Sequence, residues 1–161
     1  VDFLFYVKTN GLHSLKYFFM KNSIFTLLSL FGSIYLPAQD NSIKKEKWHW
    51  DSPLKQDTSA GYVQVVKVDN VLYISGAVAR EVTPDGITRV YQALERSLKS
   101  FGATFQNVVK ENLYTTDMEA MKKYNDARKA FYKNDFPAAT WVQIARLFMH
   151  EARLEVELVA H

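Results

Sequence analysis

The chain predicts an α+β domain, a mixed β-sheet carrying two helices on one face. Three observations predict it. Runs rich in β-branched and aromatic residues lie at both ends of residues 60–161, and two stretches with apolar spacings of three and four lie between them. The resulting order is strand, strand, helix, strand, helix, strand, strand, which places both helices on the same side. At 161 residues the chain is long enough for one well-buried core and short for two.

Residues 61–68 and 71–76 read as strands joined by Asp69-Asn70, two residues that tolerate left-handed backbone, so a tight hairpin is predicted. After Thr83-Pro84-Asp85-Gly86, apolar residues recur at Ile87, Val90, Tyr91, Leu94, Leu98 and Phe101, and Gly102 closes this first helix. Residues 108–116 alternate as a strand, with Val109, Glu111, Leu113 and Thr115 on one face and Val108, Lys110, Asn112 and Tyr114 on the other. Thr116-Asp117-Met118-Glu119 predicts a capping box for a single second helix, whose stripe is Met118, Met121, Tyr124, Ala127 and Phe131. Pro137 ends the connection, and residues 140–146 and 153–160 are the last strands. Alternation in the final one sets Leu154, Val156, Leu158 and Ala160 against Arg153, Glu155, Glu157 and Val159. Helices on one face leave the other sheet face bare, and burying it against copies of the same chain is the usual solution, so a closed oligomer is expected.

Upstream of this domain, Met20-Lys21-Asn22-Ser23 precedes an apolar run, residues 24–36, followed by Pro37-Ala38. One positive charge, a short apolar stretch and a small residue are the layout of a secretory signal peptide, with cleavage expected after Ala38. The run is too short to cross a bilayer comfortably, so no membrane attachment is expected once the signal is removed and export to a bacterial periplasm is. Residues 1–19 read as translated upstream sequence ahead of an initiator at Met20. Residues 39–59 are polar and charged, and read as a linker in which Trp48-His49-Trp50 packs over the domain or a neighbouring subunit. With no second ligand at useful spacing, His49 predicts no metal site.

Residues 1–38 hold three of the 20 basic and one of the 17 acidic residues, so the formal charge of +3 leaves 17 basic against 16 acidic downstream. A nearly neutral domain lacks the concentrated basic face that phosphate neutralisation needs, and Lys44-Lys45-Glu46-Lys47 reads as a solvated run, so no nucleic-acid partner is expected. The absence of cysteine excludes disulfides, thiol nucleophiles and cysteine-bound zinc.

Several segments together resemble the RidA (YjgF) family: Gly61-Tyr62-Val63-Gln64, Leu72-Tyr73-Ile74-Ser75-Gly76, Phe101-Gly102-Ala103, Val108-Val109-Lys110, Tyr114-Thr115-Thr116-Asp117, Phe136-Pro137-Ala138, Ala145-Arg146-Leu147 and Leu154-Glu155-Val156-Glu157. They run in the family's order and spacing from Gly61 to the C-terminus. The resemblance implies a chorismate-mutase-like fold assembled as a homotrimer, with three small-molecule clefts between subunits and no cofactor. It further implies that Tyr62, Gly76, Ala139, Thr140, Trp141 and Glu155 line each cleft, with Glu155 positioning or activating the water that attacks an imine carbon to release ammonia.

The chain departs from the family at the carboxylate clamp. Where family deaminases read Pro-Ala-Arg-Ser and the arginine holds the substrate carboxylate, this chain reads Pro137-Ala138-Ala139-Thr140. Loss of such a charge-assisted contact costs roughly 1.5–3 kcal/mol of binding, enough to discard the usual substrate. Trp141 in place of a small residue is expected to reshape the cleft or to offer a flat ligand a stacking surface. Arg80 is the candidate replacement cation; Arg128 and Lys110 are expected on solvated or paired surfaces, and Arg146 in a structural role. Two functions follow as expectations: an exported hydrolase acting on an imine or enamine C–N bond of altered substrate, or a trimer that binds a small apolar ligand without chemistry. Endoribonuclease activity, an old label of the family, is disfavoured by the neutral domain and the lack of a histidine pair.

Overall fold

The computed structural model describes residues 42–161, so the leader expected at residues 20–38 and the upstream residues 1–19 lie outside the described part. One six-stranded sheet organises these residues: β1 (Glu46–Trp48), β2 (Val65–Val68), β3 (Val71–Ala79), β4 (Val108–Thr115), β5 (Ala138–Gln143) and β6 (Leu154–Ala160). Their order across the sheet is β1-β2-β3-β6-β4-β5, antiparallel except for the β4–β5 pair. Three helices, α1 (Pro84–Lys99), α2 (Met118–Lys123) and α3 (Asp126–Tyr132), form the second layer.

The predicted alternation sorts the two faces. Leu72, Ile74, Ala77, Ala79, Leu113, Leu154, Val156, Leu158 and Ala160 point toward the helices and close over Ile87, Val90, Tyr91, Leu94, Leu98, Met121 and Tyr132. Helix α1 begins where expected: Thr83 Oγ1 accepts from the Gly86 amide at 3.1 Å, and Pro84 stands in the first turn, where its missing N–H costs nothing. It ends at Lys99, and the turn that follows reaches Gly102, whose φ of 74° lies in the left-handed region. The hairpin forms as predicted, with Asp69 at φ 51° in the turn. The opposite sheet face is bare, with Tyr73 51%, Val78 40% and Val142 39% exposed.

The structure corrects several expectations. Residues 39–59 are not wholly a linker. Glu46–Trp48 pairs antiparallel with β2 and Leu54–Ala60 is a short π-helical stretch, while Trp48 and Trp50 pack against the domain core, one of the two expected placements. The Trp50 indole donates to Ser97 Oγ at 3.2 Å, fixing this segment to α1. The first predicted strand is shorter than 61–68, because Gly61 adopts φ 74° and the chain turns before Val65. A register shift between Val108 and Lys110 turns Val109 outward and Val108 inward, reversing their expected faces. No capping box starts the second helix. Asp117 is the cap, its carboxylate accepting from the Ala120 amide at 2.9 Å, and the helix breaks at Tyr124-Asn125 into α2 and α3.

Candidate functional site

Glu155 stands on the bare face of β6, paired with Val78 of β3 and Tyr114 of β4. A second register shift, between Ile74 and Ala77, sets Ser75 and Gly76 between two inward residues of β3. The Glu155 carboxyl lies over this bulge, and a Cβ at Gly76 would overlap it. Glycine is needed here for close approach and not for its backbone freedom. The same bulge holds the loop of Tyr62: Ser75 Oγ donates to the Val63 carbonyl at 2.7 Å, and the Ser75 amide donates to the Gln64 carbonyl at 2.9 Å. Tyr62 itself is 41% exposed beside it. Gly76 and Glu155 are therefore in close contact, and Tyr62 lies in the loop that Ser75 holds.

Two carboxylates share this face and differ in their partners. Glu157 Oε1 accepts from Asn112 Nδ2 at 2.9 Å and from the Tyr114 hydroxyl at 3.3 Å. Glu155 has no such protein donor among the described residues and is half-buried. Burial, and then the charge of Glu157, raise its carboxyl above the ordinary value. Tyr114 is likewise raised, by burial and by Glu157, and stays a phenol. A shallow groove of about 240 Å³ runs alongside, lined by residues including Tyr73, Ser75, Lys110, Asn112 and Glu157.

The remaining expected residues are placed apart. Thr140 faces the same side as Lys110, whose Nζ donates to its hydroxyl at 2.7 Å, one row over from Glu155. Arg80 leaves the end of β3 and meets Glu151 at 3.6 Å with 74% of its side chain exposed, so it is paired at the rim and does not enter the groove. Ala139 and Trp141 rise from the opposite face of β5, on the helix side. Trp141 points away from the Glu155 face, and its indole N–H donates to Glu111 Oε1 at 3.2 Å.

Glu111 marks a second cluster that sequence reasoning missed. It is fully buried and accepts from Arg128 Nε at 2.9 Å, Tyr91 Oη at 2.8 Å, Tyr132 Oη at 2.6 Å and Trp141. Burial and Glu111 push both tyrosines far above the ordinary phenol value, which keeps them donors. Burial works against the Arg128 charge, but Glu111, Tyr91 and Tyr132 together outweigh it and the guanidinium stays ionised. The signal was present: Glu111 shares the alternation of Leu113 and Thr115, and Arg128 lies in phase with Tyr124, Phe131 and Tyr132. Among the described residues no group of three or more His, Cys, Asp or Glu is placed to hold a metal ion, and no helix is long and apolar enough to cross a membrane.

Comparison with known proteins supplies the family. Residues 54–161 match the model described as Endoribonuclease L-PSP. The 2-iminobutanoate/2-iminopropanoate deaminase of Mus musculus is 33% identical over 108 residues, covering 62% of this chain and 79% of that protein. A deaminase of the same name from Dermatophagoides farinae is 27% identical over 117 residues, covering 67% and 91%. Among solved structures, RidA from an Antarctic Psychrobacter is 28% identical at a TM-score of 0.58, covering 62% of this chain and 87% of that one. A YjgF/YER057c/UK114 family member from Mycobacterium tuberculosis shares the fold at a TM-score of 0.65 and 18% identity, covering 73% and 99%.

Proposed function

The chain belongs to the RidA (YjgF) family, and from that membership we propose that it is a homotrimer whose intersubunit clefts hydrolyse an imine or enamine of altered substrate range. The observation that carries this reading is Glu155, a carboxyl of raised pKa with no protein donor, laid over Gly76 on a bare sheet face. Such a group is basic enough to take a proton from water and is not committed to a structural partner.

The chemistry needs little else. Glu155 orients a water molecule and accepts its proton as the oxygen attacks the C=N carbon, while the π electrons move to nitrogen, which takes up a proton. The tetrahedral carbinolamine then expels ammonia, and its hydroxyl oxygen becomes a carbonyl. Main-chain groups at the Gly76 bulge and near Thr140 support the developing charge. The bare face, with Tyr73, Val78 and Val142, supplies the apolar area that copies of the chain would cover. Export through the leader at residues 20–38 belongs to the same proposal, and places the protein among molecules other than the cytosolic imines.

Ammonia release from a panel of freshly generated imines, with and without a carboxylate, tests the reading, with Glu155→Gln expected to lose at least a hundredfold in kcat/KM on those the native protein turns over. Equal rates for the two proteins would remove the mechanism. Ala139 favours a second reading, a trimer that binds a small molecule without turnover, since the side chain that would grip a carboxylate from β5 is a methyl group. Native mass spectrometry showing a retained ligand together with no ammonia release would select it.

A further inference from the structure

Among the described residues one ion pair is buried, Glu111–Arg128, with side chains 0% and 7% exposed. Structural need accounts for only part of it. The Arg128 guanidinium spends its Nε–H on Glu111, whereas its two terminal amino groups make no hydrogen bond to the protein among the described residues, and neither is sealed from water. A guanidinium has five N–H donors in a planar fork, so four are unspent.

Their surroundings are those of a small site. The guanidinium carbon lies 4.9 Å from the Tyr132 ring centroid, 5.2 Å from Trp141 and 5.9 Å from Phe136, so three aromatic rings flank it. Ala139 is the register partner of Glu111 in a parallel pair, so both side chains rise on the same face, and Trp141 rises two residues further along β5. Residue 139 is alanine on an exposed edge strand, so β5 offers only a methyl group beside Glu111.

We infer that Arg128 is an anion-binding residue whose unspent N–H groups take the carboxylate of a small molecule entering between Phe136, Ala139 and Trp141. A planar carboxylate matches the fork. Glu111 holds the guanidinium in orientation while its carboxylate also accepts from two phenols and an indole. An acid would thus be held from α3, on the opposite sheet face from Glu155. The site is separate from the Glu155 chemistry and rests on the deaminase reading only for the choice of acid.

The test titrates the full chain with 2-oxobutanoate, the acid that hydrolysis of 2-iminobutanoate would release, and with its neutral methyl ester, following the Arg128 Nε and Trp141 indole resonances. The acid is expected to shift both and the ester neither. Ala139→Glu, at an exposed position that tolerates the change, offers the fork a competing carboxylate and should weaken acid binding at least tenfold; Ala139→Gln should weaken it by less. An acid that leaves both resonances unmoved, an ester that binds equally, or unchanged affinity in Ala139→Glu overturns the inference. The ammonia assay separates the two ideas: docking at Arg128 without turnover sinks the deaminase alone, and turnover with Arg128 unmoved sinks this site alone.

Discussion

Glu111→Gln probes the buried cluster with the smallest change of shape. The amide keeps one carbonyl oxygen for the four donors that now converge on the carboxylate, and it leaves Arg128 buried without its counter-ion. Removing one partner of a buried pair costs about 3–5 kcal/mol, and the retained oxygen places this variant near the lower end, at about 3 kcal/mol. Against a total of about 5–15 kcal/mol that is a large loss. At a urea slope of about 2 kcal/mol/M the midpoint should fall by about 1.5 M with the slope unchanged, measured at fixed protomer concentration because assembly contributes to stability. Arg128→Met should cost a similar amount, and the double variant far less than the two together, since no charge is then stranded. A Gln variant within about 0.5 kcal/mol of the native chain, or strict additivity in the cycle, would refute the claim that the cluster acts as one unit.

Glu155 carries a pH prediction. Its folded pKa is raised, so its protonated form is favoured in the fold and the associated stability is lost as pH rises from the ordinary carboxylate range through the raised value. Glu155→Gln does not titrate there, and its melting temperature relative to the native chain should therefore rise between pH 4 and pH 7; a pH-independent difference would contradict this. Gly76→Ala should displace the Glu155 carboxyl and lower imine hydrolysis at least tenfold while the protein remains folded by circular dichroism. Sedimentation equilibrium should give three chains per particle, and a monomer at micromolar concentration would refute the shared cleft. N-terminal sequencing of the exported protein should begin at Gln39.

Most of the sheet was legible because burial on one face imposes a period. The α1 stripe, the β2–β3 hairpin and the β6 alternation needed no other information. What escaped has a common cause, since side-chain pattern reports burial and not backbone pairing. Strand β1 is charged and exposed at Glu46 and Lys47, with Trp48 alone against the core, yet it joins the sheet through main-chain bonds at an edge where little apolar area is required. The stripe Met121, Tyr124, Ala127 and Phe131 runs unbroken across the α2–α3 junction, because a change of helix axis at Asn125 leaves the spacing intact. The shifts at Val108 and at Ser75-Gly76 each add a residue that alternation alone assigns to the wrong face.

The site was legible in the same partial way. Glu155 and Gly76 came together because they lie on neighbouring strands, and Tyr62 lies in the loop that Ser75 holds. Trp141 and Ala139 did not, because successive residues of a strand point to opposite faces, and Thr140 between them takes the side nearer Glu155. That geometry changes what Ala139 means. On β5 it is not a hole in the Glu155 pocket but the register partner of the glutamate that pairs with a guanidinium on α3, and a charge that reads as surface in the sequence sits instead in phase with the core. Glutamate and arginine at buried phases of two adjoining elements are costly unless paired, so their joint occurrence at Glu111 and Arg128 was a contact signal that neither residue carried alone.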